Sequence, residues 1–144
     1  MEIDNQRERM RTINKIIVHC SATPEGRHTT VKEIDLWHRQ NGWKGIGYHY
    51  VIYLDGSIHK GRNEEQTGAH CVGHNKDSIG VCYIGGCTRD LQPKDTRTEA
   101  QKQSLIKLLT ELKGKYPNAK IYGHRDFANK CCPCFPATEE YKDL

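Results

Sequence analysis

Lys15-Ile16-Ile17-Val18-His19-Cys20 sets three β-branched side chains in succession and closes them with a histidine and a cysteine. β-Branched residues are stiff at χ1 and suit an extended backbone, and an unbroken apolar run reads as a buried strand. The strand is expected to end around His19-Cys20, where a polar loop, Ala22-Thr23-Pro24-Glu25-Gly26, takes over. A first helix is signalled at Thr30. Thr30 and Glu33 have capping-box spacing, and Val31, Ile34, Trp37 and His38 repeat on one face. Asn41-Gly42 ends it.

Further along, Gly47-Tyr48-His49-Tyr50-Val51-Ile52-Tyr53-Leu54 is rich in strand formers, and Asp55-Gly56 predicts a hairpin turn into Ser57-Ile58-His59. Another strand is expected through Ile79-Gly80-Val81-Cys82-Tyr83-Ile84, stopping at Gly85-Gly86. A second helix starts at Thr98 with Gln101 closing a capping box. Its stripe is Leu105, Leu108, Leu109, Leu112 and Tyr116, and Tyr116-Pro117-Asn118 terminates it. A short strand, Lys120 to Gly123, delivers His124. Strands interleaved with helices imply an α/β domain with a mixed central β-sheet flanked by helices.

At 144 residues the chain fits one domain. A flexible N-terminal arm is expected over 1–14 and a single folded domain over 15–144. With 35% hydrophobic and 28% charged residues and no repeat, the composition is that of a globular protein. No apolar stretch is long enough for a membrane span, so no membrane insertion is expected. The charged start of the chain lacks the apolar region of a secretory signal, so synthesis in the cytoplasm is expected, with release by other means. A net charge of +4 is spread along the chain and is weak support for an anionic polymer as target. Seven cysteines, an odd number with no secretory signal, argue against a disulfide framework. Most read as small buried hydrophobes; the cluster at 131–134 invites a metal hypothesis.

Catalytic zinc sites take three protein ligands and leave one position for water, and mixed His and Cys sets suit them. His19 and His124 each follow a short apolar strand, a rigid placement beside an open rim. Cys132 stands eight positions after His124, near enough for the loop to fold back. Blander readings remain open: a histidine at a strand end is usually hydrogen-bonded and inert. Cys131-Cys132-Pro133-Cys134 could form a structural zinc knuckle, although it lacks the paired C-x-x-C pattern. By the period-two rule Tyr48 shares a face with Tyr50, Ile52 and Leu54. It reads either as core or as a phenol aimed at a reacting centre. Lys130 is a solvated lysine by default and an oxyanion donor if it stands beside a metal. His70, His74, Asn75 and Ser78 follow Gly68 on a loop that could line a groove, whereas His28, His38, His49 and His59 read as structural or surface residues.

Taken in order, I-I-V-H-C-S-A-T from Ile16, W-H-R-Q-N-G-W from Trp37, G-Y-H-Y from Gly47, G-A-H from Gly68, S-I-G-V-C from Ser78, G-H-R-D from Gly123 and K-C-C-P-C-F from Lys130 resemble the zinc-dependent N-acetylmuramoyl-L-alanine amidases. That family includes a small phage amidase called a lysozyme and the peptidoglycan recognition proteins. The resemblance covers nearly all of 15–135. It implies Zn2+ on His19, His124 and Cys132, a catalytic tyrosine at Tyr48, a catalytic lysine at Lys130, and His70 at the substrate cleft, with His74 and Asn75 on the same loop. The implied substrate is peptidoglycan, cut at the amide joining N-acetylmuramic acid to L-alanine, by a phage or prophage endolysin that acts on the cell wall after release. A cysteine third ligand, where recycling amidases place an aspartate, points to the phage and recognition-protein branch. Two rivals stand beside this reading: a peptidoglycan-binding module without activity, and inhibition of an RNA polymerase, as in the phage relative, through a surface and the arm. A monomer without stable nucleic-acid binding is expected.

Overall fold

The computed structural model describes residues 11–144, so positions 1–10 of the expected arm lie outside the described residues. The remaining arm positions lie against the domain. Ile13 is buried in the core, and the Asn14 amide donates to the Asp77 carbonyl at 2.8 Å.

The predicted elements form in the predicted order. Strand β1 (Lys15–Cys20) is central in a five-stranded sheet with β3 (Tyr50–Ile52), β4 (Ile58–Lys60), β5 (Ser78–Tyr83) and β7 (Lys120–Gly123). The order is β4-β3-β5-β1-β7, parallel except for the β3–β4 hairpin. A small parallel pair, β2 (Thr23–Pro24) with β6 (Gly86–Cys87), sits beside it. Helix α1 (Val31–Gln40) is capped by Thr30, whose hydroxyl accepts from the Glu33 amide. Helix α2 (Glu99–Lys115) has a full Thr98/Gln101 capping box. A last short helix, α3, spans Ala137–Glu140. At the expected hairpin turn Gly56 takes φ +86°, a conformation that costs other residues dearly.

Alternation along the strands builds two cores. Ile16, Val18 and Cys20 of β1, with Ile79, Val81 and Tyr83 of β5, face the leucines of α2. On the opposite face Cys82, Ile84 and Val51 pack with Ile34 of α1 and with Ile46. In β1 it is His19 that shares this second face, paired in register with Cys82. The α2 side is closed by leucine packing, so the chemistry-bearing side chains gather on the other.

One sequence expectation fails. Tyr48 does not share a face with Tyr50 and Ile52: those two join the α2-side core, while Tyr48 packs with the α1-side core. The period-two rule holds only inside a ladder, and β3 begins at Tyr50. Residues 47–49 instead pair through individual bonds, His49 N–H to the Gly80 carbonyl at 2.9 Å and Arg62 N–H to the Tyr48 carbonyl at 2.8 Å. This break in alternation turns Tyr48 toward His19.

Candidate metal centre

Three separate elements deliver the candidate ligands. His19 is the penultimate residue of β1 and only 1% exposed. His124 follows β7, its neighbour in the sheet, and opens a short 3-10 turn, His124–Asp126. Cys132 comes from the loop beyond. That loop is held at several points: Tyr83 donates its hydroxyl to the Pro133 carbonyl at 2.6 Å, and the Arg125 amide donates to the Cys132 carbonyl at 2.7 Å. Pro133 also lies against Gly123, where a Cβ would stand 2.9 Å from its Cδ. The glycine before His124 is therefore a packing requirement.

One ligand atom from each of His19, His124 and Cys132 lies within 4.8 Å of the other two. The Cys132 Sγ to His19 Nδ1 distance is 3.9 Å. Zinc bonds of about 2.0–2.1 Å to nitrogen and 2.3 Å to sulfur give a tetrahedral N···S edge of about 3.6 Å, so the His19–Cys132 edge is close to that of a single zinc ion and the group as a whole would draw in around it. Burial lowers the His19 pKa well below its ordinary value, with His70, His124, Lys130 and His38 adding in turn. Burial and then the Lys130 charge lower that of His124. Both imidazoles are thus neutral, with lone pairs available to a metal. The Cys20 amide donates to Cys132 Sγ at 3.2 Å and helps to hold the sulfur in place.

His19 is in turn held from behind. Its Nε2 lies 2.8 Å from His70 Nδ1, and His70 Nε2 lies 3.1 Å from Ser78 Oγ. With His19 Nδ1 left free as a ligand, its Nε2 carries the proton and donates to His70, which then donates from Nε2 to Ser78. Such outer partners fix the tautomer and orientation of a metal-bound histidine. His70 is 8% exposed, and burial pushes its pKa down to about 3, so it stays a neutral link. The ring fits because the sheet has no side chain beneath it. A Cβ on Gly80 of β5 would come within 2.7 Å of His70 Cγ and Cδ2, and one on Gly68 within 2.7 Å of Cδ2.

The centre opens on a cleft of about 320 Å³ lined by His38, Trp43, Tyr48, Val72, His124 and Lys130 among others. The Tyr48 ring stands 5.1 Å from that of His19, and burial raises its pKa well above the ordinary value, so the phenol keeps its proton. Lys130 is exposed at the same mouth, close enough for its charge to act on both histidines.

The remaining sequence candidates scatter. Asn75 reaches the cleft wall, but its Oδ1 accepts from the amides of His70 and Cys71, both at 2.9 Å, which shapes the loop. His74 stacks on Phe127 at 4.1 Å, away from the cleft lining. His38, read as structural or surface, lines the cleft. Its Nδ1 accepts from the Gly47 amide at 2.8 Å, which leaves its proton on Nε2. The only sequence signal for His38 was its place in W-H-R-Q-N-G-W.

Comparison with known proteins identifies the family and the fold. A model of the N-acetylmuramoyl-L-alanine amidase family matches residues 9–135. The chain is 43% identical over 122 residues to the endolysin of Klebsiella phage KP32, covering 85% of this chain and 81% of that one. It is 43% identical over 120 residues to the endolysin of Escherichia phage T7, covering 83% and 80%. Among solved structures, the endolysin N-acetylmuramoyl-L-alanine amidase LysCS of Clostridium intestinale superposes with a TM-score of 0.75 at 33% identity, over 85% of this chain and 76% of that one. Bumblebee PGRP-SA superposes with a TM-score of 0.75 at 25% identity, over 92% and 81%.

Proposed function

Because the chain belongs to the N-acetylmuramoyl-L-alanine amidase family, we propose that its peptidoglycan amidase activity depends on zinc held by His19 Nδ1, His124 and Cys132 Sγ. The activity is that of an endolysin-type enzyme, and the bond cut joins N-acetylmuramic acid to L-alanine of the stem peptide. The observation that supports the metal is the convergence of two neutral imidazoles and a thiol, one from near the start of the chain and two from near its end, within 4.8 Å. A bound zinc ion supplies a Lewis acid and makes a nucleophile available near neutral pH.

The protein's own groups do the rest. The cleft holds the lactyl-peptide amide over the metal centre, with Trp43 and Val72 as its exposed apolar walls. Tyr48 keeps its proton and so acts as a hydrogen-bond donor, orienting the attacking group or the carbonyl oxygen as it takes up charge. Lys130 places an ammonium at the cleft mouth, where it stabilises the oxyanion of the tetrahedral stage. Ser78, His70 and His19 form the line that keeps the first ligand in one tautomer. One chain supplies every group, so the reading needs no second copy.

Metal analysis of wild type beside Cys132→Ser, coupled to release of stem peptide from purified cell walls, tests this. The wild type is expected to hold one zinc and to lose activity to a chelator. Cys132→Ser is expected to lose both. Equal zinc in both proteins would move the third ligand to Cys131 or Cys134, and activity that survives complete metal removal would sink the mechanism.

A further inference from the structure

The segment ahead of β1 reaches the metal centre from the far side. Arg11 Nη1 donates to three carbonyls of one turn, those of Asn75 and Lys76 at 3.3 Å and that of Ser78 at 3.0 Å. Its Nη2 donates to the Glu64 carbonyl at 2.7 Å. Glu64 is itself anchored, its carboxylate accepting from Tyr50, Tyr116 and Lys115. A guanidinium bound to backbone carbonyls on two sides joins two loops rigidly, which a single flexible ammonium does not. The same turn is gripped a second time by Lys15, whose Nζ lies 2.7 Å from Asp77 Oδ2.

That turn carries the groups that hold His70 on the side away from His19. Asn75 Oδ1 fixes the His70 and Cys71 amides, and Ser78 Oγ meets the far nitrogen of the ring. A continuous line of bonds therefore runs from Arg11 Nη1 to the Ser78 backbone, through the Ser78 hydroxyl to His70, and on to His19 Nε2. We propose that Arg11 is a positioning residue of the metal centre: by locking the turn at 75–78 it fixes the His70 ring, and so aims His19 Nδ1 at the ion. Arg11 meets the cleft wall only from behind, at the Asn75 backbone carbonyl; its influence passes through metal affinity.

The proposal rests on the zinc reading above, and the test separates the two. Zinc affinity of the full chain is measured by competition with a chromophoric chelator for wild type, Arg11→Gln, Ser78→Ala and the double variant. Melting of each metal-free protein shows that it is folded at the assay temperature. Loss of an outer partner typically costs 10–100-fold in metal affinity, and Arg11, one step further out, is expected at about tenfold. Ser78→Ala is expected to cost a similar factor. Because both act through one ring, the double variant is expected near about tenfold, not about a hundredfold. KM for cell-wall fragments at saturating zinc is expected to stay unchanged.

An Arg11→Gln protein that melts lower yet binds zinc as wild type does would overturn the proposal, leaving Arg11 a stabilising contact only. Fully independent losses in the double variant would overturn it too. Should Arg11→Gln fail to fold, Arg11→Lys takes its place. It can reach the 75–78 turn or Glu64 but not both, so weakened zinc binding supports the proposal and wild-type binding overturns it. A wild type that binds no zinc would instead fail the metal reading, and this inference with it.

Discussion

Gly80→Ala puts one methyl group where the second face of the sheet has no side chain, and its consequences follow from the distances. Gly80 lies in regular strand, so alanine suits the backbone, and removing a strand glycine alone would stabilise by about 0.5–1 kcal/mol. The new Cβ, however, would stand 2.7 Å from His70 Cγ and Cδ2 and 2.9 Å from Nδ1. Carbon pairs rest at about 3.5–4.0 Å, so the ring must give way by about 0.8 Å or more. It has little room to do so, because the Gly68 side is equally tight. A shift of that size along the His19–His70 line would stretch their 2.8 Å bond past hydrogen-bond range. Overpacking costs about 1–3 kcal/mol and an unpaired buried nitrogen about 1–3 more, so the collision outweighs the backbone gain. Melting of the metal-free variant is expected to drop by several degrees, at about 2–4 °C per kcal/mol for a domain of this size. Zinc affinity is expected to fall by about 10–100-fold. A Gly80→Ala protein that melts as wild type does and binds zinc equally well would refute the seating of His70 against β5 and its support of His19.

Lys130→Ala is expected to fold and hold zinc, with kcat on cell walls down by about 10²–10³, the usual cost of one oxyanion donor; full activity would remove Lys130 from the mechanism. Cys131→Ser and Cys134→Ser are expected to retain stoichiometric zinc by metal analysis, in contrast to Cys132→Ser, because neither thiol joins the convergent group. Acid is expected to destabilise the metal-free protein early. Burial holds His49 near pKa 4 and His70 near pKa 3 against 6.5 in the unfolded chain. The folded state refuses protons that the unfolded state accepts, so this stability is complete above pH 6.5 and is lost as pH falls toward 4 and then 3. Two such groups give a slope of about 2.7 kcal/mol per pH unit between pH 6.5 and 4, and about half that from 4 to 3, read from melting temperature against pH. A flat profile from pH 7 to pH 5 would show that the two rings are not buried neutral.

Local chemistry was legible in the chain. Thr30 and Thr98 announce their helices through hydroxyls that meet amides three residues on, and Asp55-Gly56 makes its turn with a residue that tolerates positive φ. The β-branched run at Ile16 is a strand because its contacts lie on both of its own faces. Residue type also pointed to the candidate ligands, since two histidines at strand ends and a cysteine beyond them are what a zinc site uses.

Which groups meet was decided by the fold. His19 finds His70 across 51 positions and Cys132 across 113, through strand register that no local pattern encodes. His70 was read from its motif as a cleft residue and does line the cleft, and the missing side chain at Gly80 also makes room for it behind the candidate ligand His19. Tyr48 belongs to the cleft because the ladder begins only at Tyr50, two residues after it, so the alternation that would have turned it to the α2 side does not reach it. Arg11, in a stretch with no motif, is tied to the 75–78 turn by backbone carbonyls, which carry no mark in a sequence. Periodicity and capping are properties of neighbours along the chain and can be read from it. Burial, tautomer and the convergence of distant side chains depend on what the sheet brings alongside, and exist only once it has formed.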